Sequence, residues 1–250
     1  MLKEIKNLFS FLTAIPVSMD QDMLTDAAKG MFLFPLIGAF IGSLAGLFGW
    51  VTLQYLPSLL VGALVLGFLL LITGLHHTDG LLDFGDGIMA HGSPERKIEI
   101  MHDQLTGAGG LSLGIMTFLI TAFSITKLSE NVIVQGLVVV EISAKLSMVI
   151  GAWAGKIVRR GMNSSFLEAM HGKKGTTRLV IALTISFAIA VLLLWLTGFI
   201  VVLAAIIASL IIVEISHRHF KGVTGDVLGA TNELARMVSL ITLLAMIRWV

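Results

Sequence analysis

Asp79, Asp83 and Asp86 follow a long uncharged apolar run, in the stretch Gly74-Leu75-His76-His77-Thr78-Asp79-Gly80-Leu81-Leu82-Asp83-Phe84-Gly85-Asp86-Gly87. Residues spaced by three, four and seven return to one face of an α-helix, so the carboxylates form an acidic stripe, and His76 falls on it too. Like charges so placed repel by roughly a few tenths of a kcal/mol per pair in water, and near lipid an unpaired charge costs several kcal/mol. A divalent cation neutralises such a stripe, and hard oxygen ligands suit Mg²⁺ or Mn²⁺. The implied chemistry is that of a metal-dependent enzyme at a membrane surface. The competing reading is a solvated loop after a membrane helix, since Gly80, Gly85 and Gly87 weaken any helix there. Three acids on one face beside His76 and His77 are poorly explained that way.

Four further polar groups qualify to join the stripe. Ser93-Pro94-Glu95-Arg96-Lys97 opens a helix, with Ser93 as cap, Pro94 in the first position and Glu95 at the positive end. That helix is expected to run to about Leu105 and stop at Gly107, burying Ile98, Met101 and Leu105. Glu95, Glu99 and Asp103 line another face, and Asp103, close to Gly107-Ala108-Gly109-Gly110, is placed to return towards the metal. Those glycines alone are a weak phosphate-loop signal. Glu141 and Lys145, four residues apart in an apolar run, are either a structural intramembrane ion pair or, if Lys145 faces a cavity, part of an anion site. The loop Lys156 to Arg160, with Arg159 and Arg160, is basic enough for phosphate, although topology also demands basic loops. Finally, Lys221-Gly222-Val223-Thr224-Gly225-Asp226-Val227-Leu228-Gly229-Ala230-Thr231-Asn232-Glu233-Leu234 concentrates polar residues just before a membrane helix. Backbone N–H groups freed by its glycines suit a phosphate, and Asp226 and Glu233 suit metal ligation or a base. A turn followed by a capped helix is the alternative.

The elements that must position these groups are transmembrane helices. Hydrophobic residues make up 56% of the 250-residue chain and charged residues 13%, with mean hydropathy +0.94, outside the range of soluble domains. About seven spans are expected, near 31–53, 58–75, 110–126, 131–155, 178–197, 198–214 and 235–250, the fifth and sixth divided only by Thr197-Gly198. Of the 17 lysines and arginines, all but Lys127, Lys145 and Arg248 fall on one side of this topology. By the positive-inside rule that side is cytoplasmic, and every polar group above except the Glu141–Lys145 pair, which lies within a span, is on it. Leu2, Ile5, Phe9 and Leu12 recur at helical spacing opposite Lys3, Lys6 and Asn7, which suits an interfacial amphipathic helix better than a cleavable leader. Gly38, Gly42 and Gly46 suit close helix packing. The fold expected is thus all-α: one polytopic transmembrane bundle over residues 1–250, with an N-terminal amphipathic helix and a short cytoplasmic helix. With no cysteine, disulfides and thiolate ligands are excluded.

Four segments together resemble the cobalamin synthases, the adenosylcobinamide-GDP ribazoletransferases. They are Phe11-Leu12-Thr13-Ala14-Ile15-Pro16-Val17; Phe34-Pro35-Leu36-Ile37-Gly38; His77 to Gly87 continuing through Glu95-Arg96-Lys97; and Thr224 to Glu233. Thr78 stands where many relatives carry Glu, and Lys145 where Arg is expected. The resemblance implies a multi-pass, Mg²⁺-dependent cell-membrane enzyme with its active site facing the cytoplasm. It joins adenosylcobinamide-GDP to α-ribazole or its 5′-phosphate and releases GMP, late in the assembly of the nucleotide loop of vitamin B12.

The implied reaction is phosphoryl transfer, in which a protein mainly positions groups and neutralises charge. On this reading Asp79, Asp83 and Asp86 hold Mg²⁺ on the pyrophosphate, with Asp103 a further candidate ligand. His77 or Asp226 takes the proton of the attacking ribose hydroxyl. Lys145, Arg159 and Arg160 bind phosphate oxygens, and Thr224, Asn232 and Glu233 orient the substrate. The expected partners are corrinoid and nucleoside substrates and the lipid bilayer, with no nucleic acid, and a homo-oligomer or a complex with other cobalamin-pathway enzymes is compatible. Two rivals differ in sequence terms. Phosphotransferases acting on lipid alcohols carry an Asp-Gly-x2-Ala-Arg pattern, and no Arg follows Asp79-Gly80 at that distance. A transporter would string charges along a path through the membrane, whereas the acids here collect on one side.

Overall fold

The computed structural model describes residues 2–15, 23–158 and 164–247. Among them the regular structure is helical, apart from a single parallel bridge between Ile157 and Val223. The chain begins with α1 (Leu2–Leu12) and α2 (Met23–Lys29), and a short turn leads into α3 (Phe34–Leu53). Then come α4 (Ser58–Ile72), α5 (His76–Met89), α6 (Pro94–Met101) and α7 (Ala108–Ile125). The bundle closes with α8 (Ile133–Ala154), α9 (Ser164–Met170), α10 (Gly172–Phe220) and α11 (Gly225–Ile247). The expected all-α membrane bundle is what the fold shows. Its outer face is apolar, with Leu47, Leu71, Leu119, Ile207 and Ile211 all exposed, the inverse of a water-soluble surface.

α8 is the axis, buried without interruption from Gly136 to Ala152. α3 lies against it through the glycines at four-residue intervals. A Cβ at Gly38 would sit 2.5 Å from the Glu141 carbonyl oxygen, one at Gly42 2.5 Å from that of Leu137, and one at Gly46 2.7 Å from Val134 Cα. Such contact without side chains is how membrane helices gain dispersion energy when lipid removes the hydrophobic drive to associate.

Among the described residues five helices are long and apolar enough to cross a bilayer, six when α4 and α5 are counted as one bent span. The expected spans 178–197 and 198–214 are the two arms of α10, which folds back at Trp195 (φ 50°). The turn falls just before the anticipated Thr197-Gly198. Gly198 serves the close approach of the arms, since a Cβ there would lie 2.0 Å from the Ala190 carbonyl oxygen.

Three differences from the sequence reading bear on the site. α4 ends at Ile72, and the left-handed pair Gly74 (φ 66°) and Leu75 (φ 62°) turns the chain so that α5 runs at 97° to it. α6 stops at Met101, a turn earlier than expected, because the Asp103 carboxylate accepts the Leu105 N–H (3.3 Å) and leaves Leu105 79% exposed. α11 begins at Gly225, so most of the polar Thr224–Glu233 segment lies within a helix rather than ahead of one. At the other end Asn7, expected on the outer face of α1, is buried and donates to Asp26 Oδ2 of α2 at 3.2 Å.

Candidate active site

α5 forms despite three interior glycines because all three are contact points, Gly87 against Met101 and Phe220 and the other two against backbone. A Cβ at Gly85 would meet the backbone of Gly109 and Gly110 at 2.9 and 2.8 Å, and one at Gly80 would lie 2.7 Å from the Asp226 carbonyl oxygen. The helix is therefore wedged between the start of α7 and the start of α11, and its acidic face is the end wall of the bundle. Asp79 is exposed, while Asp83 and Asp86 are partly buried.

Asp86 has a specific local task. Its Oδ2 accepts the Gly107 N–H (2.7 Å) and its Oδ1 the Gly110 N–H (2.8 Å). These are donors that the first turn of α7 leaves without intrahelical partners, and a negative charge is stabilised there. The glycine turn that hinted at a phosphate loop thus grips a carboxylate of the protein itself. A carboxylate offers about four lone-pair sites, so two remain on Asp86.

The Gly80 contact brings Asp226 to the stripe. Thr224 Oγ1 accepts the Val227 N–H (3.4 Å) as the cap of α11, and its hydroxyl donates to Asp226 Oδ2 (3.4 Å). A Cβ at Gly229, one turn on, would lie 3.3 and 3.4 Å from the Cα atoms of His77 and Gly80. Asp226 joins Asp79 and Asp86 among the charges acting on Asp83. Four carboxylates from two helices consequently share one patch, and among the described residues no lysine or arginine forms an ion pair with them. His102 Nε2 lies 3.7 Å from Asp226 Oδ2.

Among the described residues no three acids or histidines already close around a metal ion. The patch nonetheless fits one. Mg²⁺ keeps several waters and usually binds through one or two carboxylates plus substrate phosphate oxygens rather than in an all-protein cage. An open set of uncompensated carboxylates is that kind of donor set.

Beneath the patch α8 and α11 are joined by a buried ionic network. Arg236 Nε and Nη2 donate to the two oxygens of Glu141, the latter at 3.1 Å, and Nη1 donates to Glu233 Oε2. Asn232 donates to Glu233 Oε1 (3.0 Å) and accepts from Lys145 Nζ (2.7 Å), which lies 3.8 Å from Glu141 Oε2. Two carboxylates balance two cations, and all five side chains are at most 1% exposed. Lys145, Asn232 and Glu233, expected from the resemblance to bind substrate, are here buried and bonded to one another. Their polar atoms are spent on one another, and the ion-pair alternative for Lys145 is the one realised. Arg236 is the centre of the network.

A cavity of about 370 Å³ opens beside Asp226, lined in part by His76, His77 and Gly225. His77 Nδ1 is buried without a hydrogen-bond partner.

The cobalamin-5-phosphate synthase family model matches residues 4–244. This chain belongs to that family. It is 35% identical over 254 residues to the adenosylcobinamide-GDP ribazoletransferase of Methanococcoides burtonii, covering 97% of this chain and 92% of that relative. It is 33% identical to the enzyme of the same name from Methanosarcina mazei, with 97% and 91% covered. The corresponding protein of Thermococcus kodakarensis is 32% identical, with 98% and 99% covered. No solved structure matches the chain.

In this cobalamin-5-phosphate synthase family member the matched region includes every residue of the acidic patch and of the network. Arg159 and Arg160 lie outside the described residues. The segment leading to them is anchored: the Lys156 N–H donates to His217 Nε2 (3.1 Å), and Lys156 O accepts the Val223 N–H (2.8 Å), just ahead of α11. Asp103 sits on the exposed turn after α6 and is not among the charges that act on Asp83. His102 and Arg236 escape the sequence reading. For Arg236 the signal was present, a lone cation one turn from Glu233 in an apolar helical pattern; for His102 there was none.

Proposed function

We propose that this protein transfers the cobinamide phosphate group of adenosylcobinamide-GDP to α-ribazole or its 5′-phosphate, with release of GMP. Membership of the family supports the reaction class, and the observation that carries the site is the convergence of α5 and α11 on one carboxylate patch beside a cavity. Asp79 and Asp83, with a free lone pair of Asp86, would hold Mg²⁺. When bound, the ion offsets the charge of the pyrophosphate and of the departing GMP.

The chain itself supplies position and proton handling. Asp86, tied to the start of α7, fixes the far end of the stripe, and the glycine contact of α5 with α11 fixes Asp226 relative to Asp79 and Asp83. Asp226 stands on both the patch and the cavity lining, which supports it as the group that takes the proton of the attacking ribose hydroxyl, with His77 lining the same cavity. Arg159 and Arg160, on the segment stitched to the start of α11, would bind phosphate oxygens bidentately. In this reading the patch faces the cytoplasm, in keeping with the distribution of lysine and arginine. The charges within the bundle form a closed, balanced set, which disfavours the transporter reading.

The test is direct. Purified protein in detergent, given adenosylcobinamide-GDP, α-ribazole and Mg²⁺, should release GMP and form the joined corrinoid in equal amounts. GMP release without a joined product, or no reaction, refutes the proposal.

A further inference from the structure

The cavity beside Asp226 is lined by two unlike sets of residues. One comprises His76, His77 and Asp226. The other comprises Phe11 of α1, Phe34 at the start of α3 and Phe166 of α9. The rings form one cluster: Phe11 and Phe166 stack with centroids 4.7 Å apart and planes 29° apart, and Phe34 lies 6.2 Å from each. Three segments distant in sequence thus build one aromatic cluster at the cavity, in which Phe34 and Phe166 are buried and Phe11 is partly exposed.

Two features indicate an occupant. His77 is 6% exposed and its Nδ1 has no partner, whereas buried polar atoms are nearly always bonded. A purely apolar occupant, such as an acyl chain, would leave that nitrogen unsatisfied. The volume of about 370 Å³ lies near the lower end for small-molecule sites, which span roughly 300–1,000 Å³. It accommodates a bicyclic base with its sugar and is too small for a corrin macrocycle.

We propose that this cavity binds the acceptor: an aromatic nucleoside whose flat base lies against the Phe11–Phe166 stack and whose ribose turns towards Asp226. His77 Nδ1 bonds a polar edge of the same ligand. The Phe11 segment, which carries part of the family resemblance without an assigned role, then supplies the ring that meets the base, and the buried Phe34 packs against it. This rests on the ribazole-transfer reading and adds the place where the acceptor sits.

The test uses the full chain in detergent. Because the sequence contains no cysteine, Ser10→Cys places a single thiol on the cavity lining. Its rate of reaction with a maleimide is followed with α-ribazole, ribose 5-phosphate or GDP present. α-Ribazole should slow labelling at least about 5-fold, the other two should not, and Phe11→Ala should raise the α-ribazole Kd about 5- to 100-fold, as expected for losing one stacked base. The KM for adenosylcobinamide-GDP should stay unchanged in Phe11→Ala. The proposal is overturned if saturating α-ribazole leaves labelling unchanged, or if GDP protects instead. It is equally overturned if Phe11→Ala elutes and melts like the parent and keeps its acceptor KM. In those cases transfer by the parent protein is intact, so the pocket assignment alone fails; absence of transfer by the parent overturns the functional reading and this proposal with it.

Discussion

Arg236→Met tests whether the network between α8 and α11 is a charge-balanced unit. In the intact protein Glu141 and Glu233 are opposed by Arg236 and Lys145, all at most 1% exposed. The substitution removes the donors from both Glu141 oxygens and from Glu233 Oε2, leaving two buried carboxylates against one ammonium. Breaking a buried ion pair by removing one partner costs about 3–5 kcal/mol. Interhelical hydrogen bonds within membranes average only about 0.6 kcal/mol and reach about 1.7. A loss of at least about 3 kcal/mol, some 100-fold in the folding equilibrium, therefore marks a charge defect rather than lost hydrogen bonds. Adding Glu233→Gln restores the balance, since Glu141 keeps Lys145 at 3.8 Å and the amide oxygen still accepts from Asn232. The double variant should recover at least half of the loss. Reversible unfolding in mixed micelles, titrated with SDS and followed by tryptophan fluorescence, measures all three proteins. The reasoning is refuted if Arg236→Met lies within about 1 kcal/mol of the parent, or if the double variant is no more stable than the single one.

Asp83→Asn should abolish transfer at limiting Mg²⁺ while leaving metal-free stability equal or slightly higher, because it removes one charge from a repelling cluster. Asp86→Asn should instead lower stability by about 1 kcal/mol, since one amide oxygen cannot serve both N–H groups that cap α7; equal stability effects in the two variants would contradict the distinct roles. Gly80→Ala places a Cβ 2.7 Å from the Asp226 carbonyl oxygen and should cost about 1–3 kcal/mol along with activity, whereas Gly67→Ala, where a Cβ meets nothing within 4 Å, should stabilise by roughly 0.5–1 kcal/mol. Thermal shifts of the two glycine variants in the same detergent decide this. Single cysteines placed in segments 79–103 and 221–232 should react with a membrane-impermeant thiol reagent from the cytoplasmic side only; labelling from opposite faces would end the single-site reading.

Local patterns were legible where the physics is local. Asp79, Asp83 and Asp86 repeat at helical spacing, Ser93 and Pro94 mark a helix start, and Gly38, Gly42 and Gly46 mark a packing face, because each depends on residues within a turn or two. The membrane class followed from composition alone. What tertiary structure decided is which polar residues meet. Glu141 and Lys145 have the same spacing whether they form an ion pair or bind a substrate, and the choice was made by Arg236 and Asn232 arriving from α11. The Gly107–Gly110 turn offers the same N–H groups to a phosphate as to a carboxylate, and the proximity of α5 assigned them to Asp86. Hydropathy delays the start of α11 because its first turns are polar, and those turns are helical only because α5 and α8 pair or cover their polar groups. Asp226 reaches the stripe through a turn at Gly74-Leu75 and a backbone contact at Gly80. Neither is expressed in residue periodicity, since both depend on the cost of burying backbone and charge between helices far apart in the chain.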